Sequence, residues 1–312
     1  MLAAAIDIGT ISVRLLVASV DVSGIIPLQQ GMIITRLGEG VGRTGELQSA
    51  AIDRTLCAVR DFCAQARTRG AECIFAVATS AARDARNGNV LLKRIRSETG
   101  VAVRIIPGPE EAELSFTGVR LGLAQTVPFA VVDVGGGSTE LIGGGMDGIR
   151  YRQSIDAGAV RMTEGYLRHD PVDAAEYEAM IETVDGLLQP VVVHVNRDTY
   201  PVLTAVGGTA TTAAAIRQCL AVYDPEKVHG FILSRADLIE LIAKMKNLPL
   251  AARRQTPGLQ PERADLVVAG MAIIERTMVG GGWDAVVISE ADILHGIIWD
   301  NVQRMVPDAI DT

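Results

Sequence analysis

The sequence predicts an α/β protein whose two domains share one plan, a βββαβαβα order of strands and helices. The first observation is length, because 312 residues of which 48% are hydrophobic suit more than one compact core. The second is a repeat. A series of short apolar runs broken by glycine opens the chain and begins again at residue 129, each time followed by helical patterns. We therefore predict the duplication of one unit.

The first half begins with three short apolar runs that glycines separate, which is typical of a three-stranded meander. These runs are Ala3–Asp7, Val13–Val20 and Ile25–Thr35. Apolar residues then recur at four- and three-residue steps, which predicts a helix of about four turns. They are Ile52, Leu56, Val59, Cys63 and Ala66. A strand, a helix, a strand and a helix complete the unit, at Cys73–Ala78, Asn89–Glu98, Ala102–Ile106 and from Pro109 onward.

The second half repeats this order with longer insertions. Its first strands are predicted at Phe129–Val134, Thr139–Ile142 and Ile149–Ile155, before helical segments over Ala159–Val195. Strand Val202–Val206, a helix from Thr209, strand Ala285–Ile288 and a last helix follow. A duplicated unit of this kind is the plan of the actin-like ATPase (ribonuclease H-like) superfold, whose members bind phosphates in a cleft between the halves. We expect an interdomain cleft between domains 1–125 and 126–312, with the boundary in Gly122–Pro128.

Composition argues against several classes of protein. The formal net charge is −8, which disfavours long nucleic acid as a partner. Asp7 interrupts the first apolar run, so we expect no signal peptide, and no uncharged window has the composition of a membrane span. The four cysteines lack metal-ligand or disulfide spacing and are typical of buried thiols in a reducing compartment. These observations predict a cytoplasmic protein without a membrane partner.

Glycine turns preceded by an acid occur at equivalent places in the two halves. The first is Asp7–Thr10, with Ser12 just beyond it, and the second is Asp133–Glu140, which contains three consecutive glycines. Glycine lets backbone N–H groups approach phosphate oxygens closely, and Ser and Thr hydroxyls add donors. We therefore predict phosphate binding by Thr10, Ser12, Gly135, Gly136, Gly137 and Ser138.

The acids beside these turns predict a Mg²⁺ site. Asp133 and Glu140 are seven residues apart across the glycine turn, so two adjacent strands can bring both carboxylates to one cation. Asp7 is expected to reach the same ion through water. The alternative is that Asp133 and Glu140 are a solvated strand end and a cross-strand charge.

Two further features each allow two interpretations. Gly207, Gly208 and Thr209 follow a predicted strand and open a helix, where they would contact phosphates or a nucleotide. A tight strand-to-helix turn is the alternative. Between Arg83 and Arg104, six basic residues accompany two acidic ones, which fits either an anionic channel or a solvated helix face.

Taken together, these motifs resemble the exopolyphosphatase/guanosine pentaphosphate phosphohydrolase (Ppx/GppA) family in its short two-domain form. Four further segments extend the resemblance over nearly the whole chain: Ala78–Asn87, Gly108–Ala112, Asp156–Glu164 and Val206–Thr212. One departure lies in the first turn, where the family usually has Gly-Ser-Asn-Ser and this chain has Ile11 in the Asn position. The Ile11 side chain cannot donate a hydrogen bond to phosphate.

The resemblance implies catalytic roles for two residues of the first half. Glu111 is expected to face the cleft as the base that activates water, and the Arg83 guanidinium suits the phosphate oxygens of the transition state. Without the resemblance, Glu110 and Glu111 equally fit acids that complement a helix N-terminus.

The implied reaction is hydrolysis of the terminal phosphoanhydride of inorganic polyphosphate, with Mg²⁺ as cofactor and guanosine pentaphosphate as a possible second substrate. Glu111 distinguishes this hydrolase from a binding module, because only the hydrolase needs a base for water. An actin-like kinase or phosphotransferase and a nucleotide-sensing binding module stay open as alternatives. A homodimer stays open as the assembled form.

Overall fold

The strands of the chain form two mixed sheets in a computed structural model that describes residues 1–123 and 125–305. The strands are β1 (Leu2–Ile8), β2 (Ser12–Asp21), β3 (Gly24–Ile34), β4 (Cys73–Ala78), β5 (Val103–Ile105), β6 (Phe129–Val134), β7 (Thr139–Gly145), β8 (Gly148–Ile155), β9 (Val202–Val206), β10 (Ile232–Ser234) and β11 (Ala285–Ile288). The helices are α1 (Val41–Thr44), α2 (Ser49–Thr68), α3 (Ser80–Asp84), α4 (Gly88–Thr99), α5 (Gly108–Gly122), α6 (Ala159–Tyr166), α7 (Ala174–Val192), α8 (Gly207–Arg217), α9 (Pro225–Val228), α10 (Arg235–Asn247), α11 (Leu250–Arg253), α12 (Val267–Gly281) and α13 (Ile293–Met305), with a 3₁₀ turn at Pro261–Arg263.

Both sheets have the strand arrangement that the duplicated plan requires. The first has the order β3-β2-β1-β4-β5, in which β1 to β3 are antiparallel while β4 and β5 run parallel to β1. The second has the order β10-β11-β9-β6-β7-β8, with β6 to β8 antiparallel and β9 and β11 parallel to β6. The predicted fold class and the repeated strand order are confirmed, and β10 is an additional edge strand that the sequence did not reveal.

The first sheet is covered on both faces because the side chains of β1 alternate between two apolar clusters. Ala4, Ile6 and Ile8 pack in one cluster with residues of α2 and α4. The predicted stripe of α2, from Ile52 to Ala66, is buried there, which confirms that helix. Ala3 and Ala5 pack in the other cluster, with α5 and α13.

Helix α13 belongs to the first of two compact units, which corrects the predicted domain limits. Met1–Leu121 and the segment from Asp292 form the first unit, and Gly122–Ala291 forms the second. The physical reason is that Ile293, Ile297 and neighbouring apolar residues of α13 bury the second face of the first sheet. Position 124, in the predicted boundary segment, and positions 306–312 of the predicted second domain lie outside the described residues.

The second unit is built around α12, which is apolar on nearly every side. Its residues pack with α6, α7, α8 and α10 in one cluster that includes Val132 and Ala205 of the central strands. This core fixes the ends of β6 and β9, where the glycine turns begin. Within residues 1–123 and 125–305, no helix is both long and apolar enough to cross a membrane.

Candidate active site

The predicted residues of the first unit lie where three adjacent strands end. The carboxyl ends of parallel strands are the usual place for ligand sites in open α/β sheets. Thr79 N–H donates to Ile8 O (3.2 Å) and Ile106 N–H donates to Ala78 O (3.0 Å), so the ends of β1, β4 and β5 are joined. The first glycine turn, helix α3 with Arg83 and helix α5 with Glu111 follow these ends directly. The fold therefore brings the three predicted segments of this unit to one edge.

The first glycine turn presents backbone N–H groups. Gly9 N–H donates to Ser12 O at 3.0 Å, which closes the turn. The carbonyls of Thr10 and Ile11 accept hydrogen bonds of 2.8 to 3.0 Å from backbone N–H groups of the loop 35–38. Within the described ranges, the N–H groups of Thr10 and Ile11 donate to no other residue. Because the carbonyls are held from behind, these N–H groups can serve an anion.

The replacement of the usual Asn by Ile11 is accommodated by burial. The Ile11 side chain is buried, as are Thr10 and Ser12. Position 11 therefore offers its backbone N–H rather than a side-chain amide. This is a physical reason why the turn can keep its form despite the departure at this position.

Asp7 forms an ion pair within the first unit. Its Oδ2 accepts hydrogen bonds from Arg14 Nε (3.1 Å) and Nη2 (2.7 Å), while Arg14 Nη1 donates to Asp292. Asp7 Oδ1 is buried and accepts no hydrogen bond from the described part of the chain. Burial raises the pKa of the Asp7 carboxyl above its ordinary value, and the charge of Arg14 opposes this shift. The predicted metal role of Asp7 therefore competes with an internal cation.

Glu111 and Arg83, predicted separately, are in direct contact. Arg83 Nη1 donates to Glu111 Oε2 at 3.0 Å and to Ile106 O at 2.9 Å, which fixes the carboxylate at the start of α5. Arg83 Nε and Nη2 donate to no residue in 1–123 or 125–305. One nitrogen of the guanidinium thus orients the predicted base, and the other two can donate to a phosphate.

The basic run from Arg83 to Arg104 is largely ion-paired on the surface. Arg86 contacts Glu46 (3.2 Å), Arg94 contacts Asp53 (2.7 Å) and Arg104 contacts Glu110 (2.7 Å). Exposed pairs of this kind are typical of a solvated face. These contacts favour the solvated face over the anionic channel, with Arg83 as the member of the run that contacts Glu111.

The second glycine turn repeats the hydrogen bonding of the first. Gly135 N–H donates to Ser138 O at 3.0 Å. The carbonyls of the turn are again held from behind, here by helix α6: Ala159 N to Gly135 O 2.9 Å, Val160 N to Gly136 O 2.8 Å, Arg161 Nε to Gly137 O 2.8 Å. Among the residues that the structure describes, none accepts a hydrogen bond from the N–H groups of Gly136 or Gly137. This turn is therefore a second concavity suited to anions.

The segment Asp156–Glu164 supports this turn, a role that the sequence did not reveal. A Cβ placed at Gly158 would lie 2.3 Å from Gly136 O, so only glycine allows α6 to approach this closely. In the sequence, Gly158 marks a place where the backbone could approach another segment closely, but the sequence does not show that this segment is the second glycine turn.

Asp133 and Glu140 lie directly opposite each other on β6 and β7. Both side chains are buried, and Glu140 Oε1 accepts a hydrogen bond from Ser154 Oγ at 2.7 Å. Within the described residues, no group of three or more His, Cys, Asp or Glu could hold a metal ion. Two carboxylates nevertheless fit Mg²⁺, which proteins commonly bind through one or two carboxylates together with substrate phosphates.

The third glycine turn lies against Asp133. Gly207 has φ +79°, and a Cβ there would lie 2.7 Å from Asp133 Oδ1. Gly208 lies under the guanidinium of Arg263, because a Cβ at Gly208 would lie 2.4 Å from Nη1. Thr209 Oγ1 donates to Val134 O at 3.2 Å and so joins this turn to the second one. Arg263, buried and beside the turn, was not predicted from the sequence.

The close approach of Gly208 and Arg263 gives a testable expectation. We expect Gly208→Ala to displace the Arg263 guanidinium. The predicted rate of phosphate release should then fall by ~10-fold or more, because misplacing a group by about 1 Å can greatly slow a reaction that depends on positioning. Gly165→Ala is the matched control, since a Cβ at Gly165 in α6 meets nothing within 4 Å. Steady-state kinetics of both variants would check this, and equal effects would contradict it.

The family model of the Ppx/GppA phosphatase family matches residues 16–305. The chain belongs to the Ppx/GppA phosphatase family. Exopolyphosphatase 2 of Mycobacterium tuberculosis is 36% identical over 94% of this chain and 96% of that protein. The crystal structure of an exopolyphosphatase-like protein has a TM-score of 0.90 at 31% identity, covering 98% of this chain and all of the other. The Aquifex aeolicus Ppx/GppA enzyme has a TM-score of 0.81 at 30% identity, covering 96% and 99%.

Membership in the Ppx/GppA family confirms the resemblance drawn from the motifs. The match covers residues of both units and includes the second glycine turn with Asp133 and Glu140, whereas the first glycine turn lies before residue 16, where the match begins. The assignment of roles to individual residues remains a prediction, which rests on the contacts described above.

Proposed function

We propose that this protein is an exopolyphosphatase that hydrolyses the terminal phosphoanhydride of inorganic polyphosphate and releases orthophosphate. The observation that carries the proposal is the Arg83–Glu111 pair at the sheet edge, a fixed carboxylate beside a guanidinium with two further donors. The similarity to Exopolyphosphatase 2 over nearly its full length supports the choice of substrate.

In the proposed reaction, Glu111 takes a proton from a water molecule whose oxygen attacks the terminal phosphorus. The bond between that phosphorus and the bridging oxygen breaks, and the shortened polyphosphate leaves with the electron pair. Arg83 stabilises the negative charge of the transferred phosphoryl group while its Nη1 keeps Glu111 oriented. Positioning and charge stabilisation account for most of the catalysis in phosphoryl transfer.

The glycine turns would hold phosphate groups through backbone donors. Gly136 and Gly137 offer N–H groups in the second unit, and Thr10 and Ile11 offer them in the first. Arg263 beside Gly208 adds a buried positive charge suited to a further phosphate. When bound at Asp133 and Glu140, Mg²⁺ would supply charge neutralisation on the phosphate oxygens.

The substrate is tested by measuring phosphate release from short polyphosphate, long polyphosphate, guanosine pentaphosphate and ATP side by side, with and without Mg²⁺. We expect Mg²⁺-dependent release from polyphosphate at a kcat/KM at least ~10-fold above that for ATP. A higher kcat/KM for guanosine pentaphosphate than for polyphosphate would make guanosine pentaphosphate the main substrate. Phosphate transfer from ATP to an acceptor, without release, would contradict hydrolysis.

The role of Arg83 predicts a large effect of its loss. We expect Arg83→Gln to lower kcat by ~10²-fold or more, because the variant removes a donor aimed at developing charge and loosens Glu111. Arg86→Gln is the matched control, since Arg86 has 71% of its side chain exposed and pairs with Glu46 on the surface. Comparable losses in both variants would show that net charge, and not the contact with Glu111, is what matters.

A further inference from the structure

The first and second glycine turns each join two strands into a hairpin, β1–β2 and β6–β7, and these two hairpins carry different charges at one equivalent position. In the register of β1 and β2, Asp7 lies opposite Arg14, and in the register of β6 and β7, Asp133 lies opposite Glu140. Both turns are closed by the same backbone hydrogen bond of 3.0 Å. Arg14 therefore occupies, in the first copy of the repeat, the place that Glu140 occupies in the second.

The second hairpin places two acids at this pair of positions. Asp133 and Glu140 are both buried, and like charges directly opposite on neighbouring strands destabilise a sheet. Two carboxylates at opposed positions are a set of oxygen ligands that Mg²⁺ commonly takes together with substrate phosphates.

The first hairpin already contains a cation at the same place. Arg14 donates from Nε and Nη2 to Asp7 Oδ2, and from Nη1 to Asp292. Asp292 is itself fixed, because its Oδ1 accepts the Leu294 N–H (3.0 Å) at the start of α13. All three side chains are largely buried, and the guanidinium supplies a positive charge beside both carboxylates. A divalent ion beside it would be repelled.

We propose that Arg14 is the built-in cation of the first hairpin, which holds Asp7 in place of a metal ion, so that a divalent cation binds at Asp133 and Glu140 without Asp7. The role of Arg14 in this inference rests on the contacts of Arg14, whereas the binding of a cation at Asp133 and Glu140 rests on the proposed function. It revises the sequence expectation that Asp7 reaches the metal. It also gives Arg14 a positioning role, because Asp7 Oδ1 accepts no hydrogen bond from the described residues.

Counting bound Mn²⁺ by electron paramagnetic resonance, on the whole chain without substrate, tests the inference. We expect Arg14→Glu, which recreates the carboxylate pair of the second hairpin, to bind one more Mn²⁺ per chain than the unaltered protein. Asp7→Asn should leave the number and affinity of bound Mn²⁺ unchanged. The reciprocal change Glu140→Arg should lose the Mn²⁺ of the second hairpin.

Either of two results would overturn the inference: no gain of Mn²⁺ in folded Arg14→Glu, or weaker Mn²⁺ binding in Asp7→Asn. If Arg14→Glu does not fold, Arg14→Gln replaces it, and Mg²⁺ should then raise its Tm more than that of the unaltered protein. An equal rise would overturn the inference. The proposed Mg²⁺ site is tested separately with Asp133→Asn. If this variant binds as much Mn²⁺ as the unaltered protein, Asp133 is not a ligand, whatever the result for Arg14→Glu.

Discussion

Replacing Glu111 by Gln is expected to lower the rate of phosphate release from polyphosphate by ~10²- to 10⁴-fold, the usual contribution of a general base. Gln keeps the volume of the side chain and an oxygen that can accept the Arg83 hydrogen bond, so the start of α5 should keep its form. It cannot take a proton from water. The measurement is a single-turnover assay of phosphate release, with substrate binding measured on the same variant.

The neighbouring Glu110 provides a control within the same helical turn. Its side chain is 28% exposed, against 12% for Glu111, and it contacts Arg104 rather than Arg83. Exposed pairs of this kind contribute ~0–1 kcal/mol to the free energy of unfolding, so Glu110→Gln should remain active and folded. If both variants lose activity equally, or if Glu111→Gln turns over normally, Glu111 is not the base.

Replacing Asp133 by Asn is expected to raise the Mg²⁺ concentration for half-maximal activity by at least ~10-fold. Asn retains one oxygen at the same place on β6 but removes a negative charge opposite Glu140, and hard divalent cations bind neutral amides less well than carboxylates. Titration of activity with Mg²⁺ checks this, and circular dichroism establishes that the variant is folded.

Asp147→Asn is the control for the loss of one negative charge from the same unit. Asp147 is 65% exposed in the turn after β7, where it pairs with Arg150 at 2.9 Å. This variant should keep the Mg²⁺ dependence of the unaltered protein. A Mg²⁺ requirement unchanged in Asp133→Asn would remove Asp133 from the proposed ligands.

The sequence predicted the parts of the fold whose pattern is local. The strands β1 and β2 are buried on both faces, so they stand out as short apolar runs between glycines. Helix α2 has an apolar period of 3.6, because it has one face toward a core and one toward solvent. Helix α12 has no such stripe, since nearly all its residues are buried, and β10 has only three residues. Neither could be recognised from periodicity.

The site residues that belong to a short local motif were predicted from the sequence. Those whose role depends on contacts between distant segments were missed. The glycine turns and their acids are local motifs, so Asp133 and Glu140 could be paired from their separation alone. Arg14 stands within an apolar run, and Arg263 stands in a polar stretch far from Gly208 in sequence. Their roles depend on contacts that only the folded chain brings together.

The return of α13 to the first sheet has a consequence for the order in which the protein can fold during synthesis. Domains generally fold as units, with the N-terminal one first. Here the β1–β5 sheet cannot complete its second apolar face until residues Ile293–Ile298 have left the ribosome, after the whole of Gly122–Ala291. A fragment that ends at Leu121 should therefore aggregate, whereas the same fragment joined through a flexible linker to Asp292–Met305 should fold.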